Sequence, residues 1–142
     1  MERWFPIETK RLRLREYVPT DEANVHEYAC DPLVARYDSW GPNTAAQTHE
    51  HFSRRMAEQR KWPRADVTLV AELRREAKVI GSVRLWTVDE ANRTAEIGYT
   101  FNRRYWNNGF ATEAAAPLLD RAFHSLRMHR VIGTCDTRNA GS

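Results

Sequence analysis

The stretch "RRYWNNGFATEA", Arg103 to Ala114, changes character halfway along its length. Two arginines and two aromatic residues lead into two asparagines and one glycine, and helix-forming residues follow. Gly109 can adopt a positive φ without strain, and asparagine tolerates left-handed backbone geometry better than most residues. Because the free N–H groups and the dipole of a helix N-terminus attract anions, the stretch fits a phosphate or pyrophosphate bound at the backbone. The alternative is an ordinary loop that contains a glycine.

Segments with a period of two residues surround this stretch and predict strands. "DVTLVAEL" (66–73) and "KVIGSVRLWTV" (78–88) are joined by the short turn "RREA", which is typical of a hairpin. After a second turn, "AEIGYTF" (95–101) predicts the next strand of an antiparallel meander. "KRLRLREY" (10–17) predicts a first strand and "RVIGTCD" (130–136) a last, buried one.

Four segments carry helix signals. In "DPLVARY" (31–37), Asp31 can cap a short helix whose first residue is Pro32. Strands, helices, a meander, a helix and a final strand together predict an α+β fold in a single domain, residues 1–142. The other three predicted helices are 19–30, 43–62 and 110–126.

Length and composition narrow the classes of function. The chain has 142 residues, as expected of one domain, and a net charge of +3 from Lys and Arg scattered among Asp and Glu. A mildly basic surface of this kind suits a small anionic ligand as well as it suits nucleic acid. We expect no nucleic-acid partner, and a nucleic-acid-binding domain that uses the scattered arginines is kept as an alternative. No apolar run approaches the ~20 residues of a membrane span, and we expect no membrane partner. Two distant cysteines, Cys30 and Cys135, favour a reducing compartment and predict a cytoplasmic protein.

Three further sets of residues are expected to have structural roles. His49 and His51 are two positions apart on a predicted helix and face different ways, so no metal site is predicted. Cys135 lies in a predicted buried strand and is expected to be inert. Trp62 and Trp86 are expected to belong to the core.

A family resemblance accompanies these patterns. The segment "AEIGYTFNRRYWNNGFATEAAAPLLDRAFHSLRMHRVIGTCDTRNAGS" (95–142) resembles the Gcn5-related N-acetyltransferase (GNAT) family. It is similar above all to the branch that acetylates the N-terminal alanine or serine of ribosomal proteins. "IETKRLRLREYVPTDEANVHEYACDP" (7–32) resembles that branch's opening strand and first helix. The resemblance implies a GNAT-like fold, with a central, mostly antiparallel mixed sheet and flanking helices.

The resemblance also implies where the cofactor binds. The family's pyrophosphate motif is Arg or Gln, two residues, Gly, one residue, and Gly or Ala, and it corresponds here to residues 106–111. Trp106 stands at the first position, as is common in this branch, and Asn107 stands where Gly is frequent. By resemblance, backbone amides of this segment hold the CoA pyrophosphate, and the end of the preceding strand bonds the pantetheine arm. The implied cofactor-binding residues are Tyr99, Thr100, Phe101, Trp106, Asn107, Asn108, Gly109, Phe110, Ala111 and Asn139.

Glu96 is the candidate catalytic residue. In "AEIGYTF", the alternation of side chains places Glu96, Gly98 and Thr100 on one face of the strand, toward the same cleft as the pantetheine edge. There it could take the proton of the amine, directly or through a water. Relatives often carry a carboxylate at this point of the fourth strand. The alternative is a solvated or salt-bridged glutamate.

The resemblance therefore implies an acetyl-CoA-dependent N-acetyltransferase that acts by direct transfer in a ternary complex. The acceptor is a primary amine: a protein N-terminus, a polyamine or an antibiotic. A non-catalytic CoA-binding or assembly module is the alternative. Because the family usually runs on past "NAGS" with one more helix and two strands, we expect a C-terminally incomplete domain. An open edge on the last strand predicts association into a homodimer, or a longer natural protein.

Overall fold

The computed structural model describes residues 3–35 and 42–133. Within them, six strands form one sheet in the order of the sequence. The first four neighbouring pairs are antiparallel, and the fifth pair is parallel. The strands are β1 (Ile7–Glu8), β2 (Leu12–Arg15), β3 (Asp66–Leu73), β4 (Lys78–Asp89), β5 (Thr94–Phe101) and β6 (Arg130–Gly133).

Helices cover both faces of this sheet. A parallel pair of strands needs a long crossover connection, and a helix supplies it between β5 and β6. The expected mostly antiparallel mixed sheet with flanking helices is thereby confirmed. The helices are α1 (Glu22–Ala29), α2 (Ala45–Glu58) and α3 (Phe110–His124), and short 3-10 turns span Pro19–Asp21 and Arg103–Tyr105.

The alternation of side chains in the central strands builds two separate cores. Leu69 of β3 joins Leu118 of α3 in the larger core. Val70, the next residue, joins Tyr28 and Phe52 in a smaller core under α1 and α2. Strand β3 is covered on both faces, which explains why most of its residues are apolar.

The bounds of β3 are as predicted, whereas one predicted helix is wrong. Residues 31–35, the described part of the predicted helix 31–37, form a turn. The carboxylate of Asp31 accepts a hydrogen bond from the Leu33 N–H at 2.9 Å, and the Asp31 carbonyl accepts one from the Val34 N–H. The Asp31 carbonyl also accepts from the Ala35 N–H at 3.1 Å, so these local bonds close a single turn within the described residues and do not build a helix. Strand β1 was not predicted, since two residues are too few to show a period.

No helix in the described part of the chain is long and apolar enough to cross a membrane. Cys30 is a free, exposed thiol. Cys135, expected in a buried strand, and Asn139, expected to contact the cofactor, lie outside the described residues.

Candidate active site

A cleft of about 810 Å³ lies between the sheet and the helices α1 and α2. Residues of α2 line one wall, and β3, β4 and β5 supply the other. All of the β3 and β4 residues in the cleft carry even numbers, as the alternation of a pleated strand requires. The strands contribute Thr68, Ser82, Arg84, Trp86, Glu96, Gly98, Tyr99 and Thr100.

Strand register brings the candidate base beside aromatic and cationic groups. Glu96 lies opposite Trp86, and Gly98 lies opposite Arg84. The missing side chain of Gly98 leaves room for the Trp86 ring, whose edge is 3.4 Å from where a Cβ of Gly98 would lie. The structure thus places Glu96 in the cleft, on the face shared with Gly98 and Thr100. Trp86 lines the cleft with them, so its expected core role is wrong.

Arg84 is held firmly on the sheet wall. Its guanidinium donates two hydrogen bonds to the Asp66 carboxylate, at 2.8 and 2.5 Å, and its Cζ lies 4.2 Å from the centre of the Trp86 ring. The hydrogen bonds from Arg84 to Asp66 raise the pKa of Arg84. The guanidinium is therefore a fixed positive charge on the same wall of the cleft as Glu96.

The floor of the cleft is polar but neutral. Tyr17 and Tyr28 are buried there, and their hydroxyls share hydrogen bonds with Ser82. Burial raises the pKa of Tyr17 to about 12 and raises that of Tyr28 further, so both phenols stay protonated at neutral pH. The Thr68 Oγ1 is also buried in the cleft, and among the described residues it has no hydrogen-bond partner.

The α2 wall carries several charged side chains. Arg55 pairs with Glu58 at 3.0 Å, and its side chain is 16% exposed. Burial, and then the positive charges of Arg55 and Arg54, lower the pKa of His51. His51 is therefore neutral at physiological pH, and it reports a positive local potential. Glu50 also lines this wall.

The turn before α3 has the left-handed geometry that the sequence suggested. Asn107 has φ of 65°, and Gly109 has φ of 78° and occupies the N-cap position of α3. No side chain caps the helix, so the first N–H groups of α3 are not covered by a capping oxygen. Asn107, Asn108 and Gly109 are exposed, whereas Phe110 is buried and anchors the helix.

Side-chain bonds fix this turn to the end of β5. The indole Nε1–H of Trp106 donates to the Phe101 carbonyl at 2.8 Å. The side-chain amide of Asn108 donates to the carbonyls of Tyr105 and Trp106 at 3.2 and 3.1 Å. Trp106 and Asn108 therefore shape the loop through the main chain, while the backbone of the turn stays accessible.

The backbone of β5 alternates between the two sides of the strand, one of which faces β4. In the described residues the register with β6 stops at Ile97 and Gly133. The Asn102 N–H donates to the Ile80 carbonyl of β4 at 2.7 Å, so Thr100, two residues earlier, also directs its backbone toward β4. By the same alternation, the backbone groups of Tyr99 and Phe101 point away from β4. This edge adjoins the α3 turn.

A carboxylate that the sequence did not single out ties the N-terminus of α3 to the start of the sheet. One oxygen of Glu113 accepts hydrogen bonds from the Thr9 hydroxyl at 2.5 Å and the Arg11 N–H at 2.8 Å. The other oxygen accepts from Arg11 Nε at 2.7 Å. Arg11 also stacks its Cζ 4.1 Å from the centre of the Phe110 ring. Although burial opposes ionisation, these hydrogen bonds lower the pKa of Glu113.

Known proteins resemble this chain in sequence and in fold. The family model of the acetyltransferase (GNAT) domain matches residues 11–142. The uncharacterized N-acetyltransferase YnaD of Bacillus subtilis (strain 168) is 35% identical over 136 residues, which are 96% of this chain and 76% of the relative. The crystal structure of a GNAT-family acetyltransferase from Bacillus anthracis is 30% identical with a TM-score of 0.81, and the match covers 96% of this chain and 76% of that one.

A third match places a cofactor complex on the same fold. Spermidine N-acetyltransferase from Vibrio cholerae, solved with CoA and spermine, has a TM-score of 0.73 at 20% identity, covering 93% of this chain and 75% of that one. At that identity it supports the fold alone. The family model covers most of the chain. The relative from Bacillus subtilis is described as an N-acetyltransferase, and the structure from Bacillus anthracis as an acetyltransferase. This chain is an N-acetyltransferase and belongs to the acetyltransferase (GNAT) domain family.

Proposed function

We propose that the chain transfers the acetyl group of acetyl-CoA directly to a primary amine, either a protein N-terminal α-amine or the amine of a small molecule. The observation that carries the proposal is the position of the exposed left-handed turn at Asn107 and Gly109. The turn adjoins the end of β5, and β5 also carries Glu96 into the cleft. One strand thus links an anion-binding backbone to a candidate base.

The residues present fit acetyl-CoA. The backbone amides from Asn107 to Ala111, at the positive end of the α3 dipole and in a turn whose first three residues are exposed, suit the pyrophosphate. A pantetheine arm would lie along the end of β5 as an added strand, on the side where the Phe101 N–H points away from β4, while the Phe101 carbonyl is held by the Trp106 indole. Thr100 directs its backbone to β4, so it would contribute its side chain, which faces the cleft.

The reaction needs a neutral amine within reach of the thioester. In the proposed mechanism, the amine nitrogen attacks the carbonyl carbon, the new C–N bond forms and the C–S bond breaks. The amine loses a proton to Glu96, directly or through a water, and CoA leaves as the thiolate, which takes a proton from solvent water. Arg84, held by Asp66 on the same wall, places a fixed positive charge near the carboxylate that accepts the proton. General-base catalysis of this kind contributes roughly 10²-fold to 10⁴-fold.

The test measures acetyl transfer by the purified chain to each member of a panel of amines. The release of the free CoA thiol reports the rate. We expect Glu96→Gln to lower kcat by roughly 10²-fold while the KM for acetyl-CoA changes little. Glu90→Gln is a matched control, because Glu90 is exposed in the turn between β4 and β5, outside the cleft. A kcat and a pH–rate profile that are unchanged in Glu96→Gln would exclude Glu96 as the base.

A further inference from the structure

The cleft has an uneven distribution of charge that acetyl transfer alone does not explain. Glu96 is on the sheet wall, and Arg54 is on the α2 wall. A carboxylate and a guanidinium on opposite walls can hold opposite charges of one ligand. A general base for a simple amine requires only the carboxylate.

Arg54 differs from the other two arginines of the cleft, because no carboxylate of the described residues forms an ion pair with it. Arg84 is engaged by Asp66, and Arg55 by Glu58. Within residues 3–35 and 42–133, Arg54 has no carboxylate in ion-pair contact, although Glu50 lies one helical turn before it on the same wall. A guanidinium that lines a cleft without a protein partner is suited to a carboxylate or phosphate of a ligand.

Two further features of the cleft agree with an anionic ligand. Three α2 residues, His51, Arg54 and Arg55, line the cleft together, and after burial the charges of Arg55 and Arg54 further lower the pKa of His51. The buried Thr68 Oγ1 has no hydrogen-bond partner among the described residues. Its hydroxyl can donate to an anionic oxygen, and a hydroxyl buried in a binding cleft is expected to meet a ligand.

Resting on the proposed function, we propose that the acceptor is a primary amine that also carries an anionic group, a carboxylate or a phosphate. Glu96 receives the ammonium end and takes its proton, and Arg54 binds the anionic end. The same geometry opposes polyamines, because a second ammonium group would face Arg54.

The experiment compares acceptors that differ only in the anionic group. The pairs are β-alanine against 3-aminopropanol, O-phosphoethanolamine against ethanolamine, and a peptide beginning with Asp against the same peptide beginning with Asn. Spermidine is the polyamine probe. We expect the anionic member of at least one pair to have a kcat/KM about tenfold higher or more, as one charge-assisted hydrogen bond provides. The pair with the largest ratio identifies the source of the anion.

Variants test whether Arg54 is responsible. Arg54→Gln is expected to reduce the ratio of the preferred pair by about fivefold or more, with little change in the KM for acetyl-CoA. Arg60→Gln removes the same charge from an exposed residue just beyond α2, outside the cleft, and is expected to retain the ratio. Equal rates within every pair, a preference for spermidine, or a ratio unchanged in Arg54→Gln would overturn the proposal.

A binding measurement separates this proposal from the proposed function. Saturation-transfer NMR detects β-alanine and O-phosphoethanolamine bound to the CoA-saturated protein without any acetyl transfer. Arg54-dependent binding without turnover on any amine would contradict the transferase mechanism and support the anion site. Turnover of amines that lack an anionic group, with no Arg54-dependent binding of the anionic probes, would support the mechanism and refute the anion site. Absence of both would refute both.

Discussion

Glu113 is expected to stabilise the fold from a position that no local pattern reveals. Its carboxylate receives three hydrogen bonds, from the Thr9 hydroxyl, the Arg11 N–H and Arg11 Nε. We predict that Glu113→Gln is destabilising although the side chain keeps its shape. An amide has one acceptor oxygen, and its NH₂ group would face at least one of the donors that now converge on the carboxylate.

The expected magnitude follows from the contacts. Loss of a hydrogen bond to a charged group costs about 1.5–3 kcal/mol. The Glu113 side chain is only 16% exposed, which favours the upper part of this range, but Arg11 is 39% exposed and water screens its ion pair. We therefore expect a loss of about 2 kcal/mol in the free energy of unfolding, or roughly 7 °C in Tm for a chain of this size.

The assay is urea unfolding of Glu113→Gln and the native protein at a series of pH values. The pKa of Glu113 is lowered in the folded state, so its contribution is complete above the unfolded-state pKa near 4.3 and is lost as the pH falls through the folded-state pKa. The two unfolding free energies should therefore converge in acid. Asp120→Asn, an exposed site on the same helix, should stay within about 0.5 kcal/mol of the native protein. A gap that is absent at pH 7, or that persists in acid, refutes the reasoning.

Three further substitutions give sharp outcomes. Gly109→Val should keep the core intact, since only Arg11 Nη2 lies near, at 3.6 Å from the added Cβ, but should strain the turn at its φ of 78° and weaken acetyl-CoA binding by calorimetry; unchanged affinity would place the pyrophosphate elsewhere. Gly81→Ala should lose about 3 kcal/mol or more in urea, because the Cβ would lie 2.5 Å from both the Phe101 ring and the Thr100 carbonyl oxygen; native stability would contradict this packing. Thr68→Val should be neutral or stabilise by up to about 1 kcal/mol in thermal unfolding, because it removes a buried hydroxyl without a partner; a marked loss would reveal an unseen bond.

Features that depend on neighbouring residues could be predicted from the sequence. The bounds of β3, the left-handed backbone at Asn107 and Gly109, and the face of β5 that carries Glu96 all follow from local periodicity or from the steric limits of one residue. The turn at 31–35 could not be separated from a helix, because Asp31 can cap a helix or close a turn with the same carboxylate.

Features that depend on distant residues could not be predicted in this way. The bond between Glu113 and Thr9 joins positions 104 residues apart, and only the packing of α3 against the start of the sheet brings them together. Glutamate in the first turn of a helix signals a favourable interaction with the dipole and gives no partner. Arg54 likewise looks like any exposed arginine of an amphipathic helix until the register of the sheet places Glu96 on the opposite wall.

Strand β5 connects the core around α3 with the cleft, because its two faces belong to different sides of the sheet. Ala95, Ile97 and Phe101 pack into the core with α3, whereas Glu96 and Thr100 face the cleft. Any shift of α3 along the sheet would therefore move the proposed pyrophosphate turn relative to the proposed base. The Glu113 hydrogen bonds and the bond from Trp106 to the Phe101 carbonyl oppose such a shift at both sides of the turn. Because catalysis requires the reacting groups to be held within a fraction of an ångström, this bonding bears on activity as well as stability.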